Sequence, residues 1–302
     1  MSADKKNDEE AVTEVLCCAS CGISEIDDIK LKPCPHCDLV RYCSVECQEN
    51  HREKHESICK ERAAELHDEI LFKQPENYLG DCPICMLPMP LEYVARGLQV
   101  CCGKVICLGC AVANFARQSE EQIELSCPFC RTRLPETNEK GDMMLLKRVQ
   151  SNEPVALNVL GEKFYQEGDY SSAFQCYTRA VNVGDAEAHW NLSCMFRDGE
   201  GFTKDEERQI YHAEEAAIAG TPFARRVLAA KEWECGRFDR AVRHWIIAAN
   251  VGDDTSLQCL KESYKDGHVS KEDFAAALRA HQAAVNEMKS PQRKAAESWM
   301  FD

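Results

Sequence analysis

Residues 34–59 read CPHCDLVRYCSVECQENHREKHESIC, a stretch in which five cysteines and three histidines fall within 26 positions. Two cysteines separated by two residues form a knuckle whose sulfurs converge on one tetrahedral metal ion, and residues four apart share a helix face. Large apolar side chains are scarce here, and a segment of about forty residues cannot build an adequate core alone. We therefore expect a bound metal to supply the folding energy of this part of the chain.

The cysteines of the whole chain are concentrated toward one end. Of the 20 cysteines, 16 lie between Cys17 and Cys130, and only four follow. The first residues are polar and contain no apolar signal segment, and no apolar run approaches the length of about 18 residues that spans a membrane. We therefore expect an intracellular protein, cytoplasmic or nuclear, with no membrane partner, in which thiolates bind zinc rather than form disulfides.

The formal net charge of −15, from 51 acidic and 36 basic side chains, argues against nucleic acid as the main partner. Binding to a phosphate backbone needs a basic stripe, which the sequence lacks. The sequence also has no P-loop, no nucleophile elbow and no HExxH motif, so kinase and hydrolase chemistry has no support. Proteins or peptides are the expected partners.

Changes in composition divide the chain into seven segments. They are predicted as a disordered acidic tail (1–16), a first zinc finger (17–60), a helical linker (61–79), a second zinc finger (80–135), a connector helix (136–153), helical repeats (154–289) and a C-terminal tail (290–302). Helices are predicted from Glu61 to Phe72 and from Met143 to Val149. Below, the first finger denotes residues 17–60 and the second finger denotes residues 80–135.

The first finger offers more ligand-type residues than two zinc sites need. Its ligand pairs are Cys18/Cys21, Cys34/Cys37, Cys43/Cys47 and His55/Cys59. Because His51 also lies four residues from both Cys47 and His55, spacing alone allows either histidine to serve as the ligand. Cys17 remains as a spare neighbour of Cys18, and His36 is expected to be exposed.

The first finger closely resembles a MYND zinc finger, through Tyr42-Cys43-Ser44-Val45-Glu46-Cys47-Gln48 followed by His51, His55 and Cys59. The resemblance implies interleaved ligands, with Cys18, Cys21, Cys43 and Cys47 on one zinc and Cys34, Cys37, His55 and Cys59 on the other. It also implies docking of short, often proline-containing peptides. Gln48 stands where the family has a peptide-contacting glutamine, whereas Arg52 replaces the usual tryptophan and its flat apolar surface.

The second finger resembles a RING finger, through CPIC at residues 82–85, CCGKVIC at 101–107 followed by Cys110, and CPFCR at 127–131. Lys104 stands where most RING fingers have a histidine ligand, and an ammonium group cannot bind zinc. Cys101 can fill this vacancy, which predicts an eight-cysteine RING. The cross-brace order then implies Cys82, Cys85, Cys107 and Cys110 on one zinc, and Cys101, Cys102, Cys127 and Cys130 on the other.

RING fingers commonly act as ubiquitin ligases, which bind a ubiquitin-conjugating enzyme and hold its thioester-linked ubiquitin in a reactive pose. Three positions match the family's contacts. Ile84 and Pro128 match the apolar contacts to the conjugating enzyme, and Arg131 matches the cation that bonds both the conjugating enzyme and ubiquitin. The aromatic residue often found four positions after the sixth cysteine is Asn114 here, and Phe115 follows it.

From Pro154 onward, a helical repeat replaces the cysteine pattern. Leu160, Leu192, Leu228 and Leu260 recur at intervals of 32 or 36 residues, and Gly168, Gly199, Gly236 and Gly267 follow them. The fullest unit, Ala186 to Gly220, contains DGEGFTKD at 198–205, so the repeats resemble the Sel1-like class, relatives of tetratricopeptide repeats. The resemblance implies a curved scaffold whose concave face binds proteins, with aromatic residues such as Trp190 and Trp245 in its core.

The order of these segments resembles a multidomain family with an N-terminal MYND finger, an eight-cysteine RING finger and C-terminal Sel1-like repeats. We predict α+β zinc-stabilised modules followed by an all-α Sel1-like (TPR-like) solenoid. Four zinc ions are expected in closed four-ligand sites, which leave no open position for metal catalysis. The leading hypothesis is a RING-type ubiquitin ligase whose repeats recruit the substrate. The alternative is a non-catalytic adaptor that docks partner proteins through the MYND finger and the repeats.

Overall fold

The computed structural model describes residues 16–26, 28–75 and 79–300. The predicted acidic tail therefore lies outside the described residues, except for Leu16. The chain forms two compact units, of which the first ends at Leu71 and the second begins at Phe72. No helix in the described ranges is long and apolar enough to cross a membrane.

The first unit contains a short antiparallel hairpin and one long helix. These elements are β1 (Lys32–Pro33), β2 (Arg41–Tyr42) and α1 (Val45–Leu71). Its buried core consists of Cys18, Leu31, Cys34, Cys37 and Tyr42, so three of its five members are cysteines. With so little apolar surface to bury, this unit depends on its cysteines for a core.

Helix α1 is longer than the sequence predicts. The expected helix began at Glu61, but α1 starts at Val45 and runs without a break through the ligand-bearing residues. No glycine or proline lies between residues 45 and 71, and good helix formers such as Glu, Lys, Arg, Ala and Leu fill its second half. The ligand helix of the first finger and the predicted linker helix are therefore one element.

The second unit contains the second finger, followed by a helical array. Its elements are a 3₁₀ turn (Tyr93–Ala95), β3 (Arg96–Gln99), β4 (Lys104–Cys107), α2 (Leu108–Glu120), α3 (Asn138–Gln150), α4 (Pro154–Gln166), α5 (Tyr170–Asn182), α6 (Ala186–Asp198), α7 (Glu206–Ile218), α8 (Pro222–Glu234), α9 (Phe238–Asn250), α10 (Asp254–Lys265), α11 (Lys271–Glu287), α12 (Pro291–Ala296) and a second 3₁₀ turn (Glu297–Met300). Strands β3 and β4 pair antiparallel, with Arg96 opposite Cys107. This hairpin places Cys107 directly before α2.

Helices α4–α11, called the solenoid below, form four consecutive helix pairs, as the repeat predicts. Each pair closes through a short turn at one of the recurring glycines. At the end of α6, Gly199 adopts a φ of 75°, and its N–H donates to Met195 O at 2.9 Å. This left-handed C-cap is readily available only to glycine, which explains why glycine recurs at this point of the unit. The predicted fold class is confirmed: small cysteine-rich modules precede a helical-repeat solenoid.

Small residues allow the helices of the solenoid to approach closely. Gly161 on α4 lies against the ring of Tyr177 on α5, such that a Cβ atom at Gly161 would lie 2.6 Å from Tyr177 Cε1. Tyr177 is buried, and its hydroxyl donates to Glu162 at 3.2 Å. Trp245 is buried as expected, whereas Trp190 is half-buried and contacts Phe223.

Two segments outside the repeats have more structure than the sequence predicts. Helix α3 lies within the predicted connector segment (136–153) but starts five residues before the helix predicted from Met143 to Val149. The Thr137 hydroxyl accepts from Lys140 N at 3.3 Å as its N-cap. The predicted C-terminal tail, residues 290–302, instead contains α12, which packs against α2 of the second finger. Ser290 caps α12, since its hydroxyl accepts from Arg293 N at 3.1 Å.

The start of the second unit is held by an aromatic and cationic stack. The ring of Phe72 lies 4.6 Å from the ring of His244, and the guanidinium of Arg243 lies 3.8 Å from the centre of the Phe72 ring. Arg240 contacts the same ring at 5.0 Å. Cation–π contacts of this kind stabilise by about 0.5–2 kcal/mol each, so the segment that follows α1 is fastened to α9.

A pair of glycine substitutions tests the packing of the solenoid. We expect Gly161→Ala to lower the free energy of unfolding by about 1–3 kcal/mol, because the new methyl group overlaps the Tyr177 ring. Gly141→Ala in α3 is the matched control, since its nearest neighbour would be Pro135 Cγ at 3.6 Å. That change is expected to be neutral or to stabilise by up to about 1 kcal/mol. Urea unfolding followed by circular dichroism measures both, and equal effects of the two substitutions would contradict the packing.

Candidate metal centres

The described residues contain four groups of four cysteines or histidines that could each hold a metal ion. In each group, one ligand atom per residue lies within 4.8 Å of the other three. The groups are Cys18/Cys21/Cys43/Cys47, Cys34/Cys37/His55/Cys59, Cys82/Cys85/Cys107/Cys110 and Cys101/Cys102/Cys127/Cys130. These are the sixteen residues predicted from the sequence, in the predicted partition, and the structure brings all of them together.

The sulfur–sulfur distances fit a tetrahedral zinc ion. A Zn–S bond of about 2.3 Å gives a tetrahedron whose edges are about 3.8 Å long. The observed edges are 3.6 Å for Cys21–Cys43, 3.7 Å for Cys34–Cys59, 3.8 Å for Cys85–Cys107 and 3.9 Å for both Cys82–Cys110 and Cys102–Cys127. The Cys101–Cys130 edge is shorter, at 3.3 Å. Sulfurs at this spacing are too far apart for a disulfide bond of about 2.05 Å, and all four sites suit zinc.

Four of the five CxxC pairs share one backbone design, and the fifth, Cys107/Cys110, lies at the start of α2. In each of the four, the residue after the second cysteine donates its N–H back to the carbonyl of the first. The donors and acceptors are Gly22 N to Cys18 O at 2.9 Å, Asp38 N to Cys34 O at 3.1 Å, Met86 N to Cys82 O at 2.9 Å and Arg131 N to Cys127 O at 2.9 Å. This turn aims both sulfurs of a knuckle at one point, which is what a shared ion requires.

The knuckle turn forces its last residue into the left-handed region of φ. Gly22 has a φ of 77°, but Asp38, Met86 and Arg131 have φ values of 55°, 56° and 63° with a side chain attached. A left-handed conformation costs a non-glycine residue of the order of 1 kcal/mol. These residues keep the left-handed conformation because the same turn brings the two sulfurs of the knuckle together at the metal site.

The structure separates the roles of the two candidate histidines. His55 is buried, and its Nε2 lies 3.2 Å from Cys37 Sγ within the second tetrad. His51 stacks on His55 at 5.7 Å, but its Nδ1 forms a hydrogen bond with the Tyr42 hydroxyl at 3.1 Å. Burial, together with the neighbouring His51, lowers the pKa of His55, which favours the neutral imidazole that a metal ligand must be.

The thiols of a tetrad differ in their readiness to ionise. Burial acts to raise the pKa of Cys18, but the backbone N–H groups of Cys21, Cys43 and Ser20 that bond its sulfur lower it overall, to about 6. The sulfurs of Cys47 and Cys21 raise the pKa of Cys43 to about 12. Four sulfurs this close cannot all be thiolates unless a cation lies between them, and a divalent metal ion supplies that charge.

The predicted contact residues of the second finger lie at its surface. The Ile84 side chain is 39% exposed, and Arg131 is exposed, with no ion pair or side-chain hydrogen bond to any other described residue. Pro128 is half-buried. Phe129, beside Pro128, is 43% exposed, and the ammonium of Lys104 lies over its ring at 5.8 Å.

Asn114, at the position where related fingers often carry an aromatic residue, has a structural role. Its Nδ2 donates to Ser126 O at 2.9 Å, and Gln118 Nε2 donates to the Ser126 hydroxyl at 2.8 Å. Gln118 is buried, and its Oε1 accepts from Ser126 N at 3.0 Å. These bonds fasten the loop that delivers Cys127 to its site, while Phe115 remains 39% exposed.

Sequence reasoning missed two arginines that touch the tetrads of the second finger. Arg148 on α3 donates to the carbonyl oxygens of Val100 and Cys101, and Arg293 on α12 donates to Cys85 Sγ at 3.4 Å. Both lie in ordinary basic pairs with a neighbouring lysine, and nothing local marks them as special. The remaining cysteines, Cys17, Cys176, Cys194, Cys235 and Cys259, belong to none of the four tetrads.

The metal content of the purified chain tests the four sites. We expect four zinc ions per chain by elemental analysis, and three for Cys101→Ser, because the tetrad of Cys101 then loses a thiolate. Cys17→Ser is the matched control and should retain four, since Cys17 lies next to a tetrad but outside it. Four zincs in the Cys101 variant would remove Cys101 from the ligands.

The two histidines of the first finger give a second test. His55→Ala is expected to lose one zinc and to unfold the first finger, because it removes a buried ligand. His51→Ala should keep all four ions, since it loses only the stacking and the Tyr42 hydrogen bond. Zinc content and circular dichroism measure the outcome, and loss of an ion from the His51 variant alone would reverse the assignment.

Comparison with known proteins confirms the resemblance of the first finger: residues 18–59 match the family model of the MYND finger. A tripartite motif-containing protein 5 from Saguinus oedipus is 34% identical over 77 residues, which are 26% of this chain and 15% of that protein. An uncharacterized protein of Neisseria meningitidis serogroup B, NMB1327, is 28% identical over 122 residues, which are 39% of this chain and 25% of that protein. The chain therefore spans a quarter or less of the length of these curated relatives.

Two solved structures of helical-repeat proteins are also similar. The Escherichia coli antigen c5321, described as displaying an SLR fold, matches 49% of this chain and 34% of its own, with 19% identity and a TM-score of 0.43. A Sel1 repeat protein from Oxalobacter formigenes matches 41% of this chain and 98% of its own, with 23% identity and a TM-score of 0.37. The comparisons thus identify residues 18–59 as a MYND zinc finger, and the four tetrads of the described residues suit zinc ions.

Proposed function

We propose that the chain is a RING-type ubiquitin ligase, in which the second finger binds a charged ubiquitin-conjugating enzyme and the solenoid recruits the substrate. The observation that carries the proposal is the state of Ile84 and Arg131. An apolar side chain and a guanidinium lie at the positions that match the family's contacts. Both side chains are exposed and available to a partner.

Other exposed side chains of the second finger add apolar surface of the kind that a protein partner buries. Met86 is 68% exposed, and Phe115 and Phe129 are 39% and 43% exposed. Exposed aromatic and methionine side chains are costly to leave in water, and protein interfaces are enriched in them. A conjugating enzyme bound through Ile84, Pro128 and Phe129 would bury part of this surface.

The position of Arg131 suits a bridging cation. Its left-handed φ of 63° follows from the knuckle turn, so the fold sets the direction in which the side chain leaves the backbone. The planar guanidinium can donate several hydrogen bonds at once, to two proteins if both are present. The tetrads themselves are closed by four protein ligands, so the finger would act by orienting its partners and not by metal chemistry.

Contacts between the second finger and the solenoid support the proposal that the finger binds the conjugating enzyme and the solenoid binds the substrate. Arg96 on β3 forms a bidentate ion pair with Glu187 on α6, in which the Arg96 side chain is only 7% exposed. Buried bidentate pairs of this type fix geometry as well as adding stability. A substrate bound on the solenoid would therefore be held at a set distance from the finger.

A second candidate function, the non-catalytic adaptor, is favoured by a cavity of about 270 Å³ between the second finger and the first two helix pairs of the solenoid. Its lining includes the apolar residues Leu98, Val105 and Val155 and the acidic residues Asp185 and Glu187. Burial raises the pKa of Asp185 to about 6. A cavity of this size accepts one large side chain of a partner protein, which needs no ligase activity.

An autoubiquitination assay with a panel of conjugating enzymes tests the ligase proposal. The wild-type chain is expected to form ubiquitin conjugates with at least one enzyme of the panel. Ile84→Ala removes an apolar contact and Arg131→Ala removes the bridging cation, so each is expected to lower the rate by about tenfold or more, that is, by about 1.4 kcal/mol or more of transition-state stabilisation.

Two matched variants control this assay. Arg133→Ala removes an exposed arginine two residues from Arg131 that pairs with Glu124 and Glu136, and Ile58→Ala removes an exposed isoleucine of the first finger. Both should keep wild-type rates. Absence of activity across the panel, or equal rates for all four variants, rejects the ligase and leaves the adaptor.

A further inference from the structure

We infer that Arg148 and Arg293 are positioning residues for the two zinc sites of the second finger, one arginine for each site. Arg148 comes from α3 and Arg293 from α12, so both lie outside the finger, on opposite sides of the solenoid in the sequence. The inference concerns how the finger holds its metal and does not depend on ubiquitin ligase activity.

Arg293 fastens the knuckle of Cys82 and Cys85. Its Nη1 donates to Pro88 O at 2.6 Å and to Met288 O at 2.8 Å, and its Nη2 donates to Leu87 O at 3.2 Å and to Cys85 Sγ at 3.4 Å. One guanidinium thus bonds a ligand sulfur, the two carbonyl groups that follow the knuckle and the end of the solenoid. This arrangement fixes the orientation of Cys85 within its tetrad.

The backbone of the finger is shaped to receive Arg293. Gly109 lies between the ligands Cys107 and Cys110, and a Cβ atom there would lie 2.8 Å from both Cα and N of Arg293. Only glycine allows α12 to approach α2 this closely. The approach of α12 is therefore built into the ligand segment itself.

Arg293 also supplies charge that this site lacks. A zinc ion held by four thiolates carries a net charge of about −2, and a guanidinium bonded to one of those sulfurs offsets part of it. Cys82, Cys107 and Cys110 are buried, so water can stabilise that charge only weakly. The same cation would be costly to place here if the site held no negative charge.

Arg148 fastens the adjacent ligands Cys101 and Cys102. Its Nε donates to Val100 O at 3.2 Å, its Nη2 donates to Cys101 O, and its Nη1 pairs with Glu153 at 2.6 Å. Two consecutive residues can bind one ion only if the backbone between them turns sharply. Arg148 bonds the carbonyl groups of Val100 and Cys101 and so fixes the backbone of that turn.

Gly103 completes the turn. It has a φ of 71°, and its N–H donates to Gln99 O at 2.8 Å. A Cβ atom at this position would overlap the carboxylate of Glu153, the partner of Arg148. The Cys101–Gly103 turn is thus hydrogen-bonded to the end of β3 and packed against the Arg148–Glu153 pair.

The experiment measures each metal site of the full-length chain separately. With ¹¹³Cd in place of zinc, the four sites give separate resonances in the cadmium spectrum. We expect Arg293→Gln to move the resonance of the site that contains Cys85, and Arg148→Gln to move that of the site that contains Cys101. A chelator should remove zinc from the affected site about tenfold faster or more, in line with other substitutions next to metal ligands.

Controls are available within the same helices and the same chain. Lys294→Gln and Lys147→Gln remove the exposed neighbouring cations and should change neither resonance nor rate. The two sites of the first finger serve as internal references and should stay unchanged in every variant. Spectra and release rates of the arginine variants that equal those of the lysine controls overturn the inference.

Arginine-to-lysine variants keep the test decisive if the glutamine variants lose their helical circular dichroism. Arg293→Lys and Arg148→Lys keep the charge but lose the planar fork that spans several acceptors. We expect each to move only the resonance of its own site, with a smaller increase in the release rate. If both lysine variants match the wild-type chain at all four sites, the fork has no role in positioning and the inference fails.

Discussion

The convergence of four ligand atoms on one point, repeated four times, is the constraint on which the two fingers depend. Atoms that lie within 4.8 Å of one another include three or four sulfurs in every tetrad, and their negative charges repel unless a cation lies between them. With that cation, the same atoms become the centre of a folded module. The metal thereby replaces the apolar core that a segment of this length cannot build, and in zinc-finger peptides it contributes about 10–16 kcal/mol of binding free energy to folding.

Each level of the fingers can be traced to this constraint. The knuckle turn brings paired sulfurs together, and the turn in its own right requires a left-handed residue, which is why Asp38, Met86 and Arg131 have positive φ values. Helix α1 then carries Cys47, His55 and Cys59 of the first finger, and the end of β4 with the start of α2 carries Cys107 and Cys110 of the second. The positive φ of Arg131 thus comes from the knuckle turn that brings Cys127 and Cys130 together. The same turn sets the backbone position from which Arg131 is proposed to bridge two partners.

The sequence predicts the features that depend on local spacing and misses those that depend on distant contacts. The partition of sixteen ligands into four tetrads could be predicted because knuckles and helical pairs have characteristic spacings, and because the interleaved orders belong to families that the motifs resemble. The choice between His51 and His55 could not be made from spacing, since it depends on the hydrogen bond between the Tyr42 hydroxyl and His51 Nδ1. Arg148 and Arg293 could not be found either. Their acceptors lie at residues 100–101 and 85–88, and in the sequence both resemble solvated surface charges.

The same contacts mean that the second finger is not an autonomous module. Its residues contact Arg148 on α3, Glu187 on α6 and Arg293 on α12, so all three partners lie beyond the finger's C-terminal boundary. A fragment that ended at residue 135 would keep all eight cysteines but lose all three partners. Its knuckles would have to hold two net negative metal sites without either guanidinium. Glu187 lies on the solenoid, and Arg148 and Arg293 lie on the helices that flank it, so the proposed positioning role of the two arginines couples the retention of metal by the finger to the folding of the helices from α3 to α12.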